Sequence, residues 1–251
     1  MTPGRAGEAA RRFLLAFHAR HPGATARAFA RGRTGDGRSS YEVLADLARP
    51  GDRVLDLGCG DGFLLELLVA RGHEPAALRG VDLSPHELAA ARRRPALARV
   101  ALACEPARSL SARDGELDCV LSHLALMLMD ELERVMAELA RVLRPGGNLA
   151  TVVGGGPAPG DAFELFLDLL APVCAGLAER APRLGDPRAR DATGLAPVSS
   201  AAGFERLEET ALTVRLDGTA AEVWDTLAAA YEMSVVPPPA AAGLRAAFLA
   251  E

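Results

Sequence analysis

Residues 54–63 read Val54-Leu55-Asp56-Leu57-Gly58-Cys59-Gly60-Asp61-Gly62-Phe63, an apolar run broken by three glycines at alternate positions and then resumed. The pattern is that of a buried strand turning sharply into a helix. Glycines at 58, 60 and 62 permit backbone conformations closed to other residues. Their missing Cβ atoms let a ligand lie against the chain near the positive end of the following helix. Such a loop is suited to a nucleotide-like cofactor.

Two features argue against a dinucleotide. The pyrophosphate fingerprint G-x-G-x-x-G/A, started at Gly58, requires a small residue at position 63, where this chain has Phe63. Asp56 and Asp61 would also set negative charge against a diphosphate at short range. The same carboxylates suit a cation, and S-adenosylmethionine carries both a sulfonium and an ammonium group. A second apolar run from Leu78 ends in Asp82, 20 residues after Gly62, where a ribose-binding carboxylate is expected. Ser84-Pro85-His86-Glu87 then reads as a capping box that opens a helix.

The D-x-G-x-G-x-G stretch from Asp56 to Gly62, Asp82, Leu117-Asp118-Cys119-Val120-Leu121-Ser122 and Leu143-Arg144-Pro145-Gly146-Gly147 fall in order along the chain. Together they resemble the class I S-adenosylmethionine-dependent methyltransferases of the small-molecule type, over the span from about Tyr41 to Val153. The resemblance implies S-adenosyl-L-methionine as cofactor and S-adenosyl-L-homocysteine as product. It implies that Gly58, Cys59 and Gly60 line the methionine part, that Asp56 orders the loop, that Asp82 holds the ribose and that Leu83 covers an adenine face. Glu105, after the third strand, is the candidate for the adenine amino group, with glutamate where the family usually has aspartate and the register open by one residue. Ser122 would meet the ammonium through its carbonyl, and the lid residues Arg38, Ser40 and Tyr41 would close on the carboxylate.

Methyl transfer from a sulfonium is an in-line displacement with a good leaving group, so the enzyme's main task is alignment. A hydroxyl acceptor also benefits from a base, and His123, directly after the fourth strand, is the candidate, with Tyr41 a second catalytic candidate. The alternative for His123 is a structural histidine at a strand end. Residues 122–130 hold no N/D-P-P-Y/F element of the kind that base-flipping amino methyltransferases use. The apolar run through Met127 and Met129 fits either a pliable pocket wall or core packing.

Composition sets the outer limits. With 251 residues and 49% hydrophobic content, the chain has ample material for a buried α/β core. A net charge of −5 argues against nucleic acid as partner. The run Arg92-Arg93-Arg94 reads as a complement to a helix dipole. The chain has no lysine, isoleucine or glutamine, a bias of GC-rich bacterial genomes. The apolar run Phe13 to Phe17 is too short for a signal peptide or a membrane span, and four cysteines without a C-x-x-C pair suggest neither a metal site nor disulfides. The expectation is a cytoplasmic protein with a small-molecule acceptor, no metal, no membrane and a homodimeric state.

The predicted architecture is α/β, a doubly wound Rossmann-like sheet of seven mostly parallel strands with a helical N-terminal lid and a cap insertion after strand 5. The lid covers 1–50, the cofactor-binding core 51–153 and the helical cap 154–201, and strands and helices in 202–251 complete the domain. Core strands are predicted at 53–57, 78–82, 99–103, 117–121 and 148–153, with helices at 61–71, 85–94 and 131–143. The polar stretch 180–191 reads as a mobile loop, and Phe204 to Leu216 regains strand character. The functional expectation is methyl transfer to oxygen, nitrogen or carbon of a small, partly apolar metabolite, in bacterial secondary metabolism. The alternatives are a protein of this fold that catalyses a different reaction, such as a cyclisation, and a cofactor-sensing partner.

Overall fold

The computed structural model describes residues 5–178 and 180–251. The first four residues of the lid as read from the sequence, and Glu179 in the cap, lie outside the described residues. Five strands, β1 (Val54–Leu57), β2 (Leu78–Val81), β3 (Ala101–Ala103), β4 (Leu117–His123) and β5 (Leu143–Val152), form one parallel sheet in the order β3-β2-β1-β4-β5. The chain winds outward from β1 in one direction and then, from β4, in the other. That reversal leaves a crevice beyond the carboxyl ends of β1 and β4, the general ligand position in open α/β sheets.

Period-2 alternation divides the apolar residues of β1 and β4 between two cores. Leu55, Leu57 and Val120 pack with helix α6 (Leu132–Val142), whose Leu132, Val135, Met136, Leu139 and Val142 make the buried stripe that their spacing predicts. Val54, Cys119 and Leu121 pack on the other side with α4 (Phe63–Ala70), α5 (Pro85–Ala91) and the lid helix α3 (Ser40–Ala45). Two more lid helices, α1 (Arg5–Arg20) and α2 (Ala24–Phe29), lie before it. Beyond β5 come α7 (Ala162–Ala175), α8 (Ala192–Ala201), α9 (Ala220–Leu227) and α10 (Pro238–Phe248). α7 joins α9 and α10 in a separate small core around Phe166, Trp224 and Phe248, whereas α8 contributes Leu195 and Val198 to the α6 side. The packing therefore does not follow a boundary at 201.

Several sequence expectations are corrected. The sheet has five strands rather than seven among the described residues. The stretch after Phe204 is extended and mostly exposed, and its one bridge pairs Arg215 with Arg33 of the lid, so its alternation builds no ladder beside β5. β5 starts at Leu143, and Arg144 to Gly147 bulge out between the rungs Leu117–Leu143 and Cys119–Asn148. Residues 180–191 are packed rather than loose. Ala189 is fully buried, and a Cβ at Gly185 would lie 2.1 Å from the carbonyl oxygen of Met127.

Gly62 is the N-cap of α4 with φ +79°, and an added Cβ would lie 2.5 Å from Leu97 Cδ1 and 3.1 Å from Ala91 Cβ. Gly72 has φ +88° but faces open space. The backbone cost of about 1–2 kcal/mol applies to alanine at both positions. Overpacking adds about 1–3 kcal/mol at 62 alone. Urea denaturation of Gly62→Ala and Gly72→Ala measures the difference, and equal losses would contradict this packing account.

Candidate functional site

The glycine loop closes on the end of β2. Gly58 N and Cys59 N both donate to the carbonyl of Val81, at 2.8 and 2.9 Å. Gly58 has φ +73°, and a Cβ there would lie 2.4 Å from Ala125 Cβ, so the loop after β4 requires glycine at this position. Gly60, at φ +51°, is different, because its nearest neighbour would be Glu87 Oε2 at 3.8 Å. The clearance there leaves backbone open to a ligand.

Two acids meet at this loop. Asp82 Oδ2 accepts from Gly60 N at 2.9 Å and Oδ1 from Ser84 N at 2.8 Å. Each oxygen is thereby fixed and keeps acceptor capacity. Burial pushes the Asp82 carboxyl up, against the pull of those two hydrogen bonds. Asp56, at the end of β1, is only 2% exposed, and its Oδ2 has no hydrogen-bond partner among the described residues. Burial first, and then the charges of Asp82 and Asp61, hold its carboxyl well above the usual carboxylate range. Asp61 differs in that the Arg94 guanidinium pairs with its carboxylate and with Glu66, and Arg94 Nε donates to the Asp61 carbonyl at 2.6 Å. Arg94 thus serves the loop rather than only a helix end. Asp56 is the uncompensated acid.

Most of the predicted site residues reach one cavity at the crevice. Asp56, Gly58, Cys59, Gly60, Asp82, Leu83, Glu105, Tyr41 and His123 all line it. Glu105 also accepts from Ser111 N at 3.0 Å and Ser111 Oγ at 3.1 Å. Arg38 and Ser122 do not line the cavity. Arg38 is held on the surface by Asp36 and Asp46, with 2.6 Å to the latter, so its charge is already committed. Ser122 is fully buried, donating to Leu57 O at 3.0 Å and accepting from Leu126 N at 3.2 Å, which ties β4 to β1.

His123 is 6% exposed, its ring is stacked on Tyr41 with centroids 3.5 Å apart, and its Nε2 lies 2.9 Å from Ser40 Oγ. Burial pulls the imidazole down to about 3. It is neutral at physiological pH and a poor match for a base that works near neutrality. The Tyr41 phenol is pushed up by burial and by the charges of Asp56, Asp61 and Glu87, so it stays protonated. The non-glycine residues with positive φ, Leu124 at 54° and Glu131 at 55°, both line the cavity, as backbone strain at a functional site would. Neither position carries a local sequence signal. No local pattern placed the walls contributed by Glu87 and Tyr231, which border the same cavity, and His18 reaches it from the lid as its place in the N-terminal helix allows.

Residues 55–151 match a family described as a methyltransferase domain. These residues form a class I S-adenosylmethionine-dependent methyltransferase domain. Over 115 residues this region is 43% identical to a trans-aconitate 2-methyltransferase of Methylobacterium nodulans, covering 45% of this chain and 43% of that protein. It is 35% identical over 115 residues to a malonyl-(acyl-carrier protein) O-methyltransferase of Methylococcus capsulatus, covering 45% and 42%. The chain thus spans less than half the length of these curated relatives. The crystal structure of the (4+2)-cyclase SpnF is similar over 83% of this chain and 73% of that one, at 29% identity and a TM-score of 0.50. The cofactor of the methyltransferase domain is S-adenosylmethionine, and its shape and charge agree with the open cradle at Gly60, the carboxylate of Asp82 and the orphaned buried oxygen of Asp56. Among the described residues no helix is long and apolar enough to cross a membrane, and no group of three or more His, Cys, Asp or Glu side chains is arranged to hold a metal.

The burial of His123 in the methyltransferase domain has a measurable consequence for stability. The unfolded chain takes up a proton at the ordinary imidazole value of 6.5, and the folded chain does so only near 3. Stability therefore falls as pH drops from about 6.5 toward 3. Urea denaturation between pH 7 and pH 4.5 will show part of that slope disappear in His123→Asn, and an unchanged slope would contradict the buried, neutral histidine.

Proposed function

We propose that this chain transfers a methyl group from S-adenosylmethionine to a small, partly apolar metabolite, with a carboxylate oxygen as acceptor. The observation that carries the reading is the pair of acids in the glycine loop, one fixed for hydroxyl groups and one buried without a partner. When bound, the cofactor supplies an electrophilic methyl carbon on its sulfonium. Of the residues lining the cavity, Asp82 would accept the ribose hydroxyls, Asp56 would face the positive charge, the Gly58–Gly60 backbone would border the methionine part, and Leu83 and Glu105 would flank the adenine.

The carboxylate acceptor is favoured by the state of the two side chains expected to act as base. A carboxylate attacks without losing a proton, whereas a hydroxyl acceptor benefits from a base. Neither His123, pulled down to about 3, nor the protonated Tyr41 is suited to that task. Arg11 borders the cavity and supplies positive charge for an acid, Arg108 borders it paired with Glu131 at 3.2 Å, and Leu14, Leu128 and Met129 supply the apolar wall. Alignment and water exclusion are what remain for the chain to provide. The two relatives named above for trans-aconitate and for malonyl-(acyl-carrier protein) support this choice. The setting we propose is the cytoplasm of a bacterium, in secondary metabolism. A second reading, in which the same cofactor is bound but a different reaction such as cyclisation is catalysed, is favoured by the length of the match to SpnF.

Calorimetric titration with S-adenosylmethionine, S-adenosylhomocysteine and NAD tests the site. The first two will bind, NAD will not, and Asp82→Ala will weaken binding about tenfold or more, as expected for a lost charge-assisted hydrogen-bond pair. Assay with a panel of dicarboxylates and alcohols will release S-adenosylhomocysteine only with the acids. Release with alcohols would overturn the acceptor class, and binding without release for any member would favour the second reading.

Asp56 gives an independent check. Its carboxyl is raised in the free protein, and a cation beside it favours the ionised form, so cofactor binding expels a proton and tightens as pH rises through the raised value. Titrations in two buffers of different ionisation enthalpy will report that release for the wild type and not for Asp56→Asn. Equal proton release by both proteins would contradict this role.

A further inference from the structure

Three segments distant in sequence meet above the cavity at one carboxylate. Glu87 on α5 is 2% exposed. His18 Nδ1 on α1 lies 2.7 Å from its Oε1, and Gly23 N, at the turn into α2, donates to Oε1 at 3.0 Å and Oε2 at 2.8 Å. His18 Nε2 lies 3.1 Å from the hydroxyl of Tyr231, which begins the 3-10 turn Tyr231–Val235. The Tyr231 ring packs edge-on against Phe17, with centroids 4.7 Å apart. Glu87 was expected to complete a capping box with Ser84, but Ser84 N donates to Asp82 instead and the glutamate reaches the lid.

We propose that Glu87, His18 and Tyr231 form a clamp that closes α1 over the ribose side of the cofactor pocket and slows cofactor release. The inference rests on the cofactor reading given above. All three residues border the cavity, as do Leu14, Leu15 and Gly23 of the lid. The chain lies beside the ribose acid, because the charge of His18 acts on Asp82, and the charges of Asp82 and Glu87 act on Tyr231. A buried carboxylate is tolerated only when charge-assisted or backbone hydrogen bonds replace its water. The side-chain oxygens of Glu87 find those partners on the lid, so its burial depends on the lid being down. With α1 lifted the carboxylate faces solvent, and with α1 down the wall of the pocket is complete. His18 and Tyr231 are positioning residues here, acting through the lid.

The test uses S-adenosylhomocysteine as probe on the full chain. Calorimetry, stopped-flow release and hydrogen exchange over residues 8–29 are compared for the wild type, His18→Ala, His18→Asn and Tyr231→Phe. The ligand will protect 8–29 in the wild type. His18→Ala will weaken binding about tenfold or more, speed release and abolish the protection, the size expected for a hydrogen bond to a charged group. His18→Asn keeps a donor at the Nδ1 position and will recover most of the loss, and Tyr231→Phe will fall between. Variants that all bind and protect like the wild type would overturn the clamp, as would an asparagine variant no better than alanine. If the wild type binds no S-adenosylhomocysteine, the cofactor reading fails. The clamp is then still decided by lid exchange without ligand, which must be faster in His18→Ala than in the wild type.

Discussion

The carbonyl of Val81 takes two backbone N–H donors from the glycine loop, and the geometry of the site depends on that junction. It pins the end of β1 to the end of β2, so that Asp56 and Asp82, one on or beside each strand, face the same space. Gly60 N then completes the arrangement by holding Asp82 Oδ2. The same loop is wedged from the β4 side, where Ala125 leaves no room for a side chain at 58. Strand pairing in the sheet thus becomes placement of acids in the crevice.

The electrostatics of the loop are unbalanced in one place only. Asp61 is matched by Arg94, and Glu87 by donors from the lid. Asp82 is partly stabilised by two backbone groups. Among the described residues of the loop, Asp56 alone stays buried with an oxygen that meets no donor, a local cost that a folded chain can retain where a ligand supplies the missing partner. A cationic cofactor would supply it, a diphosphate would make it worse, and this difference separates the two kinds of glycine loop more sharply than their spacing does. The neutral His123, which also lines the cavity, adds no charge of its own.

The core was legible because its signals are local. A parallel strand buried on both faces reads as a continuous apolar run, and the 3.6-residue stripe from Leu132 to Val142 reads as a helix wherever it lies. Asp56, the glycines and Asp82 followed from the same short-range patterns. What failed was what depends on distant partners. Glu87 has a capping-box position in sequence, but its carboxylate bonds to Gly23, 64 residues away. Arg38 is a different case, a lid cation whose partners Asp36 and Asp46 lie only two and eight residues away. Phe204 to Leu216 alternates like a strand, yet alternation alone cannot say whether a neighbour is present. Residues 180–191 look like a loop because they are polar and rich in Pro and Arg, yet the small Gly185 and Ala189 let the segment pack tightly.

The account stands or falls on how the cofactor sits, and a crystal structure of the complex with S-adenosylhomocysteine reads that directly. It is predicted to show both ribose hydroxyls on the carboxylate of Asp82, the amino-acid part against the Gly58–Gly60 backbone on the side of Asp56, and α1 closed above. A ligand bound outside the crevice, or ribose hydroxyls that make no contact with Asp82, would contradict it.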